Sequence, residues 1–254
     1  MSKVAYNFYA TLLDSYQNYL DSDRLWEKFW GGSESPNLSL DEYEKQCKQD
    51  LIDRINRVPF DSEAADRGTC FNEVVDCLIE NRNTDKMQVS RVYEGGKVVA
   101  LSVKYKDREF KYSLELCKDL ANYFKGAVTQ YYCEAILPTK YGNVKLYGYL
   151  DELMPNKIHD IKTTGHYEAF KFRDHWQHIV YPFCLRSEGN DVSEFEYDVV
   201  KWGKGLDYDF FTEVYKYDES IDKPRLIAHC ESLIEFLQAN REFITDKKIF
   251  NEHE

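Results

Sequence analysis

The hydrophobic positions of the first 30 residues recur at helical spacing. Four of them fall on one face of a helix predicted over residues 5–30: Phe8, Leu12, Tyr16 and Leu20. A break rich in glycine and serine follows, and a second helix is predicted from Ser39, because Glu42 three residues later completes a capping box. Residues 1–66 are therefore predicted to form a helical extension packed on the remainder of the chain.

From residue 67 onwards the pattern changes between helical spacing and strand-like runs rich in Val, Ile, Tyr and Phe. The predicted order is a helix at 68–81, a hairpin at 87–94 and 97–103, a helix at 114–124, three strands within 128–164, a helix at 168–187, strands at 194–202 and 207–217, and a helix at 224–244. This order predicts one α/β domain over residues 67–254, in which helices flank a mixed central sheet.

The charge balance and the cysteines narrow the class of protein. Lys and Arg number 33 against 45 Asp and Glu, a net charge of −12, which disfavours a general polyanion binder but allows a local basic groove. The seven cysteines contain no Cys-x-x-Cys pair, so reduced thiols are expected and an iron–sulphur cluster is not. The pattern includes neither a secretory leader nor a bilayer-spanning segment, so we expect a cytoplasmic protein with no membrane partner.

The stretch from Gly148 to Thr164 contains the residues with a chemical signature. Asp151 ends one predicted strand and Asp160 lies on the next, so a tight turn brings the two carboxylates together, as a hard divalent cation requires. Lys162 shares a strand face with Asp160 because side chains two residues apart point the same way. The backbone carbonyl of Ile161 could join the metal shell. Such a site suits the hydrolysis of phosphodiesters.

Three short motifs in this region resemble the PD-(D/E)XK nuclease superfamily, in its RecB-type and lambda-exonuclease-type branch. They are Gly148-x-x-Asp151, Asp160-x-Lys162-Thr163 and Gln177-x-x-x-Tyr181. The resemblance spans residues 67–186 and implies an αβββαβ, restriction-endonuclease-like core. It further implies Mg²⁺ or Mn²⁺ on the two aspartates, a catalytic role for Lys162, and a substrate-binding or bracing role for Gln177 and Tyr181.

The chain departs from this branch at one position. After Gly-Thr the branch has a His or Glu as a further metal ligand, and here Asn72 stands in its place. Glu73 and Asp76 are alternative ligands on the same helix. Further residues are candidates for substrate contact: Glu134, Thr163, Lys171 and Arg173.

The resemblance implies a DNA exonuclease that depends on a divalent metal and acts in phage-type or mobile-element-type recombination or repair. DNA is the expected partner, with a single-strand annealing or recombination protein and a second copy of the chain as further candidates. Nucleotide-driven activity is not expected because the sequence has no phosphate-binding loop. The alternatives are an endonuclease of the same fold, or a catalytically inactive module that binds nucleic acid or protein.

Overall fold

The computed structural model describes residues 3–251, and its first element is a strand. Strand β1 (Val4–Tyr9) is followed by helices α1 (Ala10–Leu20), α2 (Ser22–Trp30) and α3 (Leu40–Ile55). The prediction of a helix from residue 5 is therefore wrong for the first positions. Their side chains fit both periodicities, and parallel pairing of β1 with strand β6, described below, decides in favour of the strand. The capping box of Ser39 and Glu42 is confirmed.

The remaining elements follow the predicted order closely. They are α4 (Glu63–Ile79), β2 (Gln88–Glu94), β3 (Lys97–Tyr105), β4 (Arg108–Ser113), α5 (Leu114–Tyr123), β5 (Val128–Thr139), β6 (Gly142–Met154), β7 (Lys157–Thr164), α6 (Gln177–Ser187), β8 (Glu194–Trp202), β9 (Tyr208–Lys216) and α7 (Glu219–Ala239). Two short 3₁₀ turns end the described chain, at Arg241–Phe243 and Lys247–Phe250. The predicted fold class, a mixed central sheet flanked by helices, is confirmed.

Two details of this order differ from the prediction. Strand β4 was not predicted, because its turn uses Lys106 in the left-handed region (φ 53°) where a glycine is usual. Helix α6 begins at Gln177, and not at residue 168. The preceding segment is tied to other elements, since Asp14 of α1 accepts a hydrogen bond from the Trp176 backbone N–H (2.6 Å) and Glu213 of β9 accepts one from that of Phe172 (3.3 Å).

The central sheet has six strands, and β6 is its longest. Strand β5 pairs antiparallel along nearly the whole of one edge of β6. The opposite edge is shared, because β1 pairs with residues 143–147 and β7 pairs with residues 152–154. Strand β8 then adds parallel to β7, and β9 antiparallel to β8. The three strands β2, β3 and β4 form a separate antiparallel sheet.

Two hydrophobic cores cover different parts of the central sheet. The larger core joins the sheet to α1, α3, α6 and α7, and the smaller one joins α4, α5 and the three-stranded sheet to Ile161 and Val200. Ile158 of β7 lies in the larger core and Ile161 in the smaller one, so these two side chains point to opposite faces of the sheet. All seven cysteines are free. No helix within residues 3–251 is long and apolar enough to cross a bilayer.

Candidate active site

The candidate site lies where the two strands that share one edge of β6 separate. Within the described chain, residues 148–151 of β6 pair with neither β1 nor β7 on that edge. The gap leaves Asp151 next to β7, and the backbone N–H of Ile161 donates to its Oδ2 at 3.1 Å. In paired strands the N–H and C=O of one residue face the same neighbour, so the Ile161 carbonyl also faces this gap.

Asp151 has a second partner on helix α4. The Asn72 side-chain amide donates to the same Oδ2 oxygen at 3.1 Å. Burial raises the pKa of the Asp151 carboxyl, and the nearby Asp160 carboxylate raises it further. A divalent cation bound at this position would offset that effect, because it favours the charged carboxylate.

Asp160, Lys162 and Gln177 form a closed set of contacts beside Asp151. The Lys162 ammonium lies 2.7 Å from Asp160 Oδ2 and donates to Gln177 Oε1 at 2.6 Å. The Gln177 amide nitrogen donates to Asp160 Oδ1 at 2.6 Å. Burial alone would lower the pKa of Lys162, but the carboxylates of Asp160 and Asp151 outweigh it and raise that pKa. Lys162 therefore stays charged, with its position set by two partners.

The glycine of the first motif has a specific packing role. A Cβ atom at Gly148 would lie 2.6 Å from Cε1 of Tyr181, well inside normal contact distance. Tyr181 is one turn beyond Gln177 on α6 and is buried. The absent side chain of Gly148 thus lets α6 approach β6, which is the approach that brings Gln177 to Lys162.

Gly148→Ala is expected to lower the free energy of unfolding by about 1–3 kcal/mol, the usual cost of overpacking a well-filled core. Urea denaturation followed by circular dichroism measures the change. Gly165→Ala is the matched control, because a Cβ there would meet nothing within 4 Å. Equal stability of the two variants would show that Tyr181 moves aside freely and that Gly148 does not position α6.

The donors around Asp151 fit a hard divalent cation. Asn72 Oδ1 is buried and accepts no hydrogen bond from the described residues, while its amide nitrogen is held by Asp151. This oxygen, carboxylate oxygens of Asp151 and Asp160 and the Ile161 carbonyl provide the oxygen-rich ligand set that Mg²⁺ or Mn²⁺ prefers.

The other two candidate ligands on α4 have different surroundings. Glu73 forms ion pairs with Arg82 (2.6 Å) and Lys86 (2.5 Å), which engage both of its carboxylate oxygens. Asp76 accepts a hydrogen bond from Gln130 at 3.1 Å, and burial raises its pKa to about 6. Among the three residues on α4, Asn72 is the one that donates a hydrogen bond to Asp151.

The candidate substrate contacts are not brought together in one place. Glu134 is exposed on β5 and accepts hydrogen bonds from Tyr132 (2.5 Å) and Lys145 (3.4 Å). Lys171 donates to the Thr164 hydroxyl (2.8 Å) and to the His166 carbonyl (2.7 Å), which engages its ammonium in its own loop.

Thr163 and Arg173 lie apart from each other. Thr163 lies against helix α4, with its Oγ1 3.0 Å from where a Cβ at Gly68 would be. Arg173 lines a surface hollow together with Phe170 and Asp222. Within residues 3–251, neither forms a hydrogen bond or ion pair with Asp151 or Asp160.

Exposed tyrosines near Asp151 were not singled out from the sequence. Tyr149 is 59% exposed and, two residues before Asp151, shares its strand face. Tyr132 on β5 lies directly opposite Tyr149, with ring centroids 5.2 Å apart. The signal available in the sequence was the period-two series Tyr147, Tyr149, Asp151, which places aromatic rings in line with the carboxylate.

A second group of potential ligands lies one residue from Asp160. Ligand atoms of His159, Glu196 and Asp198 all lie within 4.8 Å of one another, and all three residues are buried. A buried group of this composition can hold a metal ion. Because His159 and Asp160 alternate along β7, their side chains point to opposite faces of the sheet.

Comparisons with known proteins reveal distant structural similarity only. The chain matches no protein-family model and no curated protein. One similar solved structure is the protein SSO0001, with 11% identity and a TM-score of 0.47 over 93% of this chain and 79% of the other. Another is a protein from Eubacterium rectale named "putative exonuclease", with 14% identity and a TM-score of 0.44 over 80% of each chain. Both are too distant to indicate a function.

Proposed function

We propose that this chain is a divalent-metal-dependent nuclease that hydrolyses phosphodiester bonds in DNA. The observation that supports this most is the closed set of contacts among Asp160, Lys162 and Gln177 beside the Asp151 carboxylate. It combines a cation-binding carboxylate pair with a charged ammonium held in place, as phosphodiester hydrolysis requires.

These contacts suggest a separate role for each residue of the site. Asp151, Asp160, Asn72 and the Ile161 carbonyl would hold Mg²⁺ or Mn²⁺. When bound, the cation neutralises the phosphate and acidifies a water molecule. Lys162 donates to Gln177 and forms an ion pair with Asp160, and an ammonium with three N–H donors can still donate to the attacking water or a phosphate oxygen.

Gln177 acts as a positioning residue in this proposal. Its oxygen accepts from Lys162 while its nitrogen donates to Asp160, so one amide fixes both charged groups. Tyr181 holds α6 against Gly148 and thereby keeps Gln177 in reach. These two roles need no contact between either side chain and DNA.

The finer proposal is an exonuclease of phage-type or mobile-element-type recombination or repair, with an endonuclease as the alternative. The test is digestion of end-labelled linear DNA and of closed circular DNA by purified protein with Mg²⁺ or Mn²⁺. Degradation of linear DNA with circles spared supports the exonuclease, and cleavage of circles supports the endonuclease. Tight DNA binding without cleavage under any of these conditions would support the inactive module and overturn the enzyme.

Tyr149→Ala is expected to raise the KM for DNA about tenfold, because stacking of one base on an aromatic ring contributes roughly 1–3 kcal/mol. The ring is exposed and in line with Asp151, so a strand that enters the site would pass over it. Steady-state kinetics on linear DNA measure the change. Tyr93→Ala on the separate sheet, with a side chain 60% exposed, is the matched control. An unchanged KM for the Tyr149 variant would place the DNA elsewhere.

A further inference from the structure

A buried cluster lies on the face of β7 and β8 opposite Lys162. His159 of β7 lies beside Glu196 in the parallel register, and Asp198 follows Glu196 by two residues on the same strand face. His159 Nδ1 is 2.9 Å from Asp198 Oδ2. The three side chains thus converge from two hydrogen-bonded strands, a rigid support for a ligand set.

The His159 ring is held in one orientation by two aromatic neighbours. The rings of Tyr123 and Phe124 at the end of α5 meet it edge-on, with centroids 5.5 Å and 5.2 Å away. A ligating imidazole needs this kind of fixed orientation.

Carboxylate oxygens of two buried residues near the cluster accept no hydrogen bond from the described residues. Asp198 is fully buried, and its Oδ1 accepts no hydrogen bond. Glu152 is also fully buried, neither of its oxygens has a donor, and it lies directly opposite His159 in the pairing of β6 with β7. Buried acceptors without donors are costly, and a cation bound by Asp198 would satisfy its Oδ1.

We propose that His159, Glu196 and Asp198 form a second cation site, which takes a transition-metal ion of the Zn²⁺ class. One imidazole nitrogen and two carboxylates are ligands that Zn²⁺ accepts readily, with water in the fourth position. Mg²⁺ strongly prefers oxygen ligands, so this site and the aspartate pair select different ions. The proposal is independent of the proposed nuclease function.

Lys157 is the group with which the ion must compete. Its ammonium lies 2.6 Å from Glu196 Oε2, while the Tyr123 hydroxyl donates to the other oxygen at 3.1 Å. Binding of Zn²⁺ would release Lys157 towards solvent, where its side chain is already 27% exposed. Removal of this ammonium should therefore strengthen Zn²⁺ binding.

The experiment measures Zn²⁺ binding to the metal-stripped full chain by equilibrium dialysis and elemental analysis. The expected result is one tight equivalent that persists in Asp160→Asn, disappears in His159→Gln and Asp198→Asn, and binds about tenfold more tightly in Lys157→Met, since removal of a like charge a few ångströms away relieves repulsion. Circular dichroism checks that each variant is folded.

Two results would overturn the proposal. The first is a Zn²⁺ equivalent that is lost in Asp160→Asn and kept in His159→Gln, which would assign it to the aspartate pair. The second is an absence of tight Zn²⁺ from both the wild type and Lys157→Met. Because Lys157 is partly exposed and at the end of a strand, its variant remains informative even if the buried substitutions prevent folding.

Discussion

Lys162→Ala is expected to lower the turnover of DNA by roughly two to four orders of magnitude, the usual effect of losing one positioned electrostatic or proton-handling group. Binding of DNA in Ca²⁺ should change far less, because other cations of the chain still contact the backbone. The Lys162 side chain is only 22% exposed and contacts Asp160 and Gln177. It is therefore expected to act on the reacting phosphate and to contribute little to DNA binding elsewhere on the surface.

The control for Lys162→Ala is a lysine outside the site that also forms an ion pair with a carboxylate. Lys223 forms an ion pair with Glu219 at 2.9 Å on α7, and Lys223→Ala should retain wild-type turnover. Cleavage in Mn²⁺ and binding in Ca²⁺ are measured on the same preparations. If the Lys162 and Lys223 variants cleave equally well, Lys162 is not the catalytic group.

Asp160→Asn is expected to lower turnover in Mg²⁺ by about three orders of magnitude or more. A neutral amide binds the cation weakly and does not balance its positive charge. The same change removes the negative partner of Lys162 and disturbs the hydrogen bond from Gln177. Extra Mn²⁺ should restore a small part of the activity, because it accepts weaker ligands more readily.

The control for this change is Asp209→Asn. Asp209 pairs with Lys201 on the surface and is 59% exposed, so its loss should leave turnover unaltered. Isothermal titration with Mn²⁺ reports the loss of metal directly. Equal DNA degradation by the wild type, Asp160→Asn and Lys162→Ala would identify the activity as a contaminant and remove the basis for the proposed site.

Much of the fold and the common strand face of Asp160 and Lys162 follow from local sequence pattern, whereas a place for Gln177 beside them was implied by the family resemblance. Asp160 and Lys162 share a face because a strand has a period of two, and the order of strands and helices was visible in the hydrophobic periodicity. The strand at Val4–Tyr9 and the start of α6 at Gln177 did not follow from local pattern. Both depend on partners more than a hundred residues away, namely residues 143–147 and Asp14.

The different surroundings of the three candidate ligands on α4 could not be predicted from the sequence either. Asn72, Glu73 and Asp76 are all polar and close in the chain, and helical geometry alone left each available. The deciding contacts are tertiary: Arg82 and Lys86 engage Glu73, whereas Asp151 engages Asn72. Gly148 could be recognised as part of a motif. The physical reason for a glycine there is the close approach of the Tyr181 ring, and this approach is seen only in the packing of α6 against β6.

The pairing of β1 with residues 143–147 has a consequence for how the chain reaches its native state. The two segments are separated by about 140 residues, so the entropy of a long loop must be overcome before they meet, and such contacts form late and slowly. Until then the edge of β6 exposes unpaired backbone groups, a template for another chain. Folding intermediates and N-terminal truncations of this protein should therefore aggregate through that edge.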